Sequence, residues 1–168
     1  PMTPRLLAVI GLPGVGKTTV AREFADRLDA RLLRTDTVRT DCVSDPDYTP
    51  AERQRVYTEL FSRARDAIGS GRSVVLDGTF RNRADRERAV ELAAEAGATL
   101  GVVAVECEAP VVESRIAARE NDASDADIEV YRDFRERYDS VRLPHETIDN
   151  SGTMAATRAQ AMALLGDD

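Results

Sequence analysis

One lysine, one histidine and no tryptophan occur among 168 residues. Lys17 is the lysine, so every other basic side chain is arginine. His145 is the histidine. A zinc site or a Ser-His-Asp triad is therefore not expected, because each needs histidine in a defined constellation. Cys42 and Cys107 have no CxxC partner and no adjacent histidine, and are expected to be free thiols in a reducing compartment. Aromatic residues make up only 5%. No apolar run approaches the ~20 residues of a membrane span. The segment after Pro4-Arg5 is apolar for no more than a strand's length, so no leader peptide is expected and a cytoplasmic location is the default. The net charge of −7 argues against broad, non-specific binding of nucleic acid, while leaving room for a local arginine-lined groove.

What is present is an alternation of strand-like and helix-like segments. Arg5–Ile10 is a short apolar run of the kind found in buried parallel strands. Further strands are expected over Arg31–Arg34, Ser73–Leu76, Thr99–Val105 and His145–Ile148. Apolar residues at helical spacing mark Lys17–Leu28, Pro50–Ile68, Ala84–Ala96, Ala109–Arg119, Asp125–Tyr138 and Thr153–Leu165, with Ser124 as an expected N-cap. The pattern predicts an α/β fold: a five-stranded parallel sheet with helices on both faces, one domain over 1–168. In such sheets ligands gather at the carboxyl ends of the strands. The polar residues there are Gly11–Thr19, Asp36, Asp77, Glu106 and Asn150–Thr153.

Gly11-Leu12-Pro13-Gly14-Val15-Gly16-Lys17-Thr18 satisfies G-x-x-x-x-G-K-[ST], the phosphate-binding loop, and lies between a predicted strand and a predicted helix. The glycines let backbone N–H groups close on phosphate oxygens, and the helix presents its positive N-terminus to them. Lys17 adds a full charge and the Thr18 hydroxyl can ligate Mg²⁺. The nucleotide side is expected to comprise Pro13, Gly14, Val15, Gly16, Lys17, Thr18 and Thr19, with Arg115 and Gly152 toward the base. ATP and Mg²⁺ are the implied cofactors.

Other residues narrow the class of P-loop protein. A guanine-reading Asn-Lys-x-Asp motif needs a second lysine, and no Leu-Ser-Gly-Gly signature is present. A ring-forming ATPase is expected to carry more chain than this, including a helical lid domain. What is left is a small kinase. Asp36 and Arg39 form Asp-x-x-Arg after the second strand, a general base and an acceptor-orienting arginine. Val74-Val75-Leu76-Asp77 ends in the carboxylate expected at Mg²⁺, with Thr79, Arg81 and Arg83 following. Arg115 and Arg119 share a helix face and open a lid over roughly 115–127, with arginines that meet charge on the transferred phosphoryl group. The acceptor wall is expected along Val38–Arg55, where Asp41, Asp45, Asp47 and Glu52 mix with Arg39, Arg53 and Arg55.

These motifs, GLPGVGKTT at Gly11–Thr19, DTVR at Asp36–Arg39, DYTPAERQRVY at Asp47–Tyr57, VVLDGTF at Val74–Phe80 and ESRIAAR at Glu113–Arg119, resemble the AAA-family kinases related to zeta-toxin and polynucleotide 5′-hydroxyl kinases. The resemblance implies a P-loop NTPase fold with a short lid. It makes Asp36 the base, Arg39 a contact of the acceptor phosphate, and Arg115 and Arg119 contacts of the ATP phosphates, with Lys17. The expected reaction is γ-phosphoryl transfer to a hydroxyl, on a small molecule or on a nucleic-acid 5′ end; an NTPase or regulatory module without acceptor is the alternative. Oligomeric state is not legible.

Overall fold

The computed structural model describes residues 2–118 and 125–166. Strands β1 (Arg5–Ile10), β2 (Arg31–Arg34), β3 (Val74–Asp77), β4 (Thr99–Glu106) and β5 (Glu146–Asp149) form one parallel sheet in the order β2-β3-β1-β4-β5. Between them run α1 (Lys17–Leu28), α2 (Thr35–Cys42), α3 (Pro50–Gly69), α4 (Arg83–Ala96), α5 (Ala109–Ala117) and α6 (Asp125–Arg137), and α7 (Met154–Leu165) follows β5. This is the α/β sheet that the alternation predicted, in the P-loop NTPase fold that the resemblance implied.

β1 explains why the sheet is covered on both faces. Leu6, Ala8 and Ile10 pack with Val56 and Leu60 of α3 and Ala89 and Leu92 of α4. Leu7 and Val9 point the other way, to Val20 and Phe24 of α1 and Ala161 of α7. A strand sandwiched in this manner has no polar face, hence the unbroken apolar run. The helix ends follow local chemistry. Thr49 caps α3 by accepting from the Glu52 amide at 3.2 Å, with Pro50 in the first turn. Gly97 ends α4 at φ 71°.

The strand register levels the carboxyl ends. Asp77 pairs with Val9 on one side and Arg34 on the other, and Glu106 pairs with Asp149. The polar residues that follow the strands are thus set in one row.

Two elements differ from expectation. No helix was expected between Arg34 and Pro50, yet Asp36 and Arg39 sit on α2, which begins directly after β2. Thr35, Thr37, Val38 and Thr40 are β-branched and argue against a helix. Tertiary contact decides: Val38 is buried against the α3 cluster. Helix α5 stops at Ala117, short of the expected end at Arg119. Arg119, the Ser124 cap and 119–124 of the expected lid lie outside the described residues.

Candidate active site

Gly11–Thr18 turns from β1 into α1. Gly16 is the N-cap of α1 at φ 92°, a left-handed conformation, and a Cβ there would collide with Nδ2 of Asn150. Asn150 fastens the loop. Its Nδ2 donates to the Val15 carbonyl at 2.8 Å, its Oδ1 accepts from the Thr157 hydroxyl, and its backbone N–H donates to Glu106 at 2.7 Å. The residue is buried, so each of these bonds is made away from water. The sequence marked Asn150–Thr153 as a polar strand end with Gly152 toward the base, and missed the fastening. An Asn ending a strand with Thr one turn into the next helix was the available signal. Val15 contributes backbone only, since its side chain is buried beneath the loop.

Lys17 donates from Nζ to the Leu12 carbonyl at 2.9 Å. Burial of the ammonium pulls its pKa down to about 8, while the charges of Asp77 and Asp36 hold it up and Arg34 lowers it further. A cation held in this way is stored for an anion.

Thr18 Oγ1 donates to Asp77 Oδ2 at 2.8 Å, joining the two residues expected at the metal. Arg34, which sequence reasoning missed, completes the group. Its Nε donates to the same Asp77 oxygen at 3.2 Å, and its terminal NH2 approaches Thr18 Oγ1 at 3.3 Å and Asp36 Oδ2 at 3.8 Å. No sequence signal marked it: only the strand pairing of the fold sets Arg34 level with Asp77. The Asp77 side chain is 6% exposed and needs a cation beside it. Replacing Arg34 by Met is expected to lower stability by about 2 kcal/mol. MgCl2 added alone should recover much of that loss in the variant and change the parent's Tm little; scanning calorimetry with and without the salt reads both.

Across from the loop stand Thr35, Asp36, Gly78 and Thr79, which share with it a cavity of about 650 Å³. Asp36 is 76% exposed on the first turn of α2. Arg39 does not line this cavity. It lies 3.6 Å from Asp36 and 3.7 Å from Glu52, with its guanidinium over the Tyr48 ring. The turn after β3 is locked despite a left-handed Phe80 at φ 46°. The Phe80 amide donates to the Tyr57 hydroxyl at 2.9 Å, Arg86 Nε donates to the Phe80 carbonyl at 2.8 Å, and the Tyr138 hydroxyl donates to the Thr79 carbonyl. Burial pushes the Tyr138 phenol up to about 12 and the Tyr57 phenol higher still, so both keep their protons. At the opposite end, Arg115 donates to the Gly152 carbonyl at 3.3 Å and approaches Cys107 Sγ at 3.5 Å. Pro13, Gly14, Gly16, Thr19 and Gly152 line the cavity with it. Arg119 lies outside the described residues.

An AAA domain family (AAA_33) matches residues 6–141. The chain belongs to this AAA domain family. Uncharacterized proteins of Mycobacterium tuberculosis and Mycobacterium bovis are 34% identical over 171 residues, covering 95% of this chain and 34% of theirs. The chain thus spans about a third of the length of the curated relatives it matches. Among solved structures, the Mycobacterium tuberculosis APS kinase in complex with AMPPNP and APS superposes with a TM-score of 0.77 at 18% identity, over 98% of this chain and 97% of that one. A gluconokinase from Sinorhizobium meliloti gives 0.75 at 19% over 97% and 92%. At these identities the likeness is one of fold.

The AAA domain offers Mg²⁺ one hydroxyl and one carboxylate, both hard oxygen donors and already adjacent. That suits an ion that keeps several waters and takes further ligands from phosphates. Among the described residues no cluster of three His, Cys, Asp or Glu forms a cage for a metal on its own. Thr18 and Asp77 are the residues that would hold the ion.

Proposed function

We propose that this domain is an ATP- and Mg²⁺-dependent kinase that acts in the cytoplasm on a hydroxyl group of a small molecule. One observation carries the reading: Asp36 and Asp77 both impose their charge on Lys17, and all three line one cavity. A donor cradle that faced only water would have no use for a second, exposed carboxylate held opposite it.

The backbone of Gly14–Thr18 and the N-terminus of α1 bind the triphosphate, and Lys17 moves from Leu12 to its phosphates. Thr18 and Asp77 would hold Mg²⁺, which would supply charge neutralisation at the phosphates. Asp36 takes the proton of the acceptor hydroxyl. The oxygen bonds to the γ-phosphorus as the bond from that phosphorus to the bridging oxygen breaks, and ADP departs with the electron pair. Lys17 stabilises the charge that gathers on the transferred group, and arginines of the α5 side assist.

Acidic residues on the acceptor side, Asp41, Asp45 and Asp47, disfavour a polyanion and tilt the reading to a small molecule. The test is γ-labelled ATP with a panel of small alcohols and a 5′-hydroxyl oligonucleotide. Label in a small alcohol is the expected result. Label confined to the oligonucleotide selects the polynucleotide activity instead. Label released only as inorganic phosphate, whatever the acceptor, overturns transfer altogether.

A further inference from the structure

The P-loop is a partition between two cavities. Pro13, Gly14, Gly16 and Lys17 line the larger one, described above. Gly11, Leu12 and Val15 line a second, of about 360 Å³, set between the carboxyl end of β4 and α6. The proposed reaction leaves it unused. Its wall is largely apolar, from Leu12, Val15, Ala104 and Val141. The charged residues around it, Glu106, Glu108 and Arg135, are all exposed, so their charges stand at its rim.

Two further groups in the wall have no part in the reaction. Cys107, half-buried just beyond β4, has its Sγ 3.5 Å from a terminal nitrogen of Arg115. Tyr131 of α6 is 2% exposed, and its hydroxyl has no hydrogen-bonded partner among the described residues. The two are neighbours, close enough that a charge on Cys107 acts on the Tyr131 phenol. A buried hydroxyl without a partner is uncommon, and an absent ligand is one of the few physical explanations. A cysteine kept only for packing is normally buried outright. Cys107 instead faces open space beside that hydroxyl.

Arg115 joins the two cavities. One terminal nitrogen donates to Cys107 Sγ and the other to the Gly152 carbonyl at 3.3 Å, and Arg115 and Gly152 both line the nucleotide cavity. Leu12, whose carbonyl holds Lys17, is part of the wall of the second.

We infer that Cys107 is a site of thiol–disulfide exchange with small disulfides bearing an uncharged, hydroxylated arm, and that the adduct fills the second cavity and weakens nucleotide binding through Arg115. The Cys107 sulfur bonds to one sulfur of the small disulfide as the old S–S bond breaks. The departing sulfur leaves with the electron pair and takes up the proton that Cys107 gave up. One disulfide is consumed and one is formed, so no further oxidant is required. The arm is uncharged because a charge carried into apolar surroundings costs desolvation that nothing inside repays. It carries a hydroxyl because Tyr131 offers a hydrogen bond there. The adduct takes the space at Sγ that Arg115 now uses, and Arg115 is held by Gly152 alone. The exchange rests on the cavity. Its effect on the nucleotide rests on the reading of Arg115 and the P-loop as the nucleotide side.

The protein is equilibrated with hydroxyethyl disulfide and its thiol, quenched in acid, and mapped by peptide mass spectrometry, which separates Cys107 from Cys42. The same is done in urea. The ratio of folded to unfolded exchange constants cancels the chemistry of the disulfide and reads what the fold contributes. Cys107 is expected to hold the adduct at least tenfold better in the folded chain. Cystamine and dithiodipropionate, with arms of similar length and opposite charge, should show no such gain. Tyr131→Phe, folded by circular dichroism, should lose at least threefold of it. A folded Cys107 that holds the adduct no better than the unfolded one overturns the site. An equal gain with the charged arms, or no loss in Tyr131→Phe, overturns the uncharged, hydroxylated arm. A non-hydrolysable ATP analogue with Mg²⁺ should bind the adduct at least fivefold more weakly than the free thiol. It should lower the exchange constant by the same factor, because coupling between two binding equilibria is reciprocal. Cys107→Ser treated alike should keep its affinity. Equal affinity in adduct and free thiol overturns the coupling and leaves the exchange site. No binding of the analogue by the untreated protein removes the nucleotide reading and the coupling with it, while the folded-state gain at Cys107 stands.

Discussion

Asp36→Asn is expected to slow phosphoryl transfer by ~10²–10⁴-fold, the range for a lost general acid-base group, while the protein folds and binds nucleotide as before. The amide keeps the shape of the carboxylate and cannot take a proton. Little structure depends on the charge. Asp36 is exposed, and its ion pairs are long, 3.8 Å to Arg34 and 3.6 Å to Arg39. A change at such a position stays within about 0.5 kcal/mol of the parent's stability. Nucleotide affinity should hold or rise slightly, since a negative charge opposite the triphosphate is removed. Single-turnover transfer, a nucleotide Kd and a melting curve measure the three quantities. Transfer at the parent's rate would mean that another group takes the proton.

Lys17→Met should cost turnover ~10²–10³-fold, the usual loss for a donor that meets transition-state charge, and should also raise the Tm of the nucleotide-free protein. The two effects have one cause. The ammonium is held at about 8 chiefly by burial, so the folded protein carries it at a cost that only an anion relieves. The sign with pH is definite. Below about pH 8 the group is charged in both folded and unfolded chains, and the cost is felt in full. Between about 8 and the ordinary 10.5 the unfolded chain holds the proton that the folded one has released. Stability therefore rises with pH through that window. The parent should gain more than Lys17→Met between pH 7 and 10, the difference cancelling every other titration. Triphosphate affinity should run oppositely: flat below pH 8 and weaker above it, with a proton taken up on binding. Calorimetry in buffers of different ionisation heat reads that proton.

The sheet, the loop and the order of the helices were legible because each rests on local rules. Apolar runs bounded by turns made the strands, and the full P-loop motif could be placed between a strand and a helix. Helix α2 was not, because Thr35, Thr37 and Thr40 oppose a helix that only the packing of Val38 on α3 rewards. The same holds in the site. Lys17, Thr18, Asp36 and Asp77 follow from motif and strand order. Arg34 and Asn150 do not, since what they do depends on which strand lies beside which: Arg34 matters through Asp77 of β3, and Asn150 through Val15, 135 positions earlier in the chain. Arg39 was marked as a residue facing the acceptor, and the fold turns it aside to Glu52 and Tyr48. Tertiary placement of that kind has no periodic or motif signature.

The bond from Asn150 to the P-loop bears on where the chain can be cut. The family match ends at residue 141, and every residue of the motif lies before that point. The fastener lies after it, in Asn150 and in Thr157 of α7. A fragment trimmed to the matched region would keep the full motif and lose the latch that holds Val15 and excludes any side chain at Gly16. Its loop would be complete in letters and slack in shape, with β4 left as a bare edge where β5 had paired. The functional unit is therefore longer than its signature, and a minimal version must run through α7.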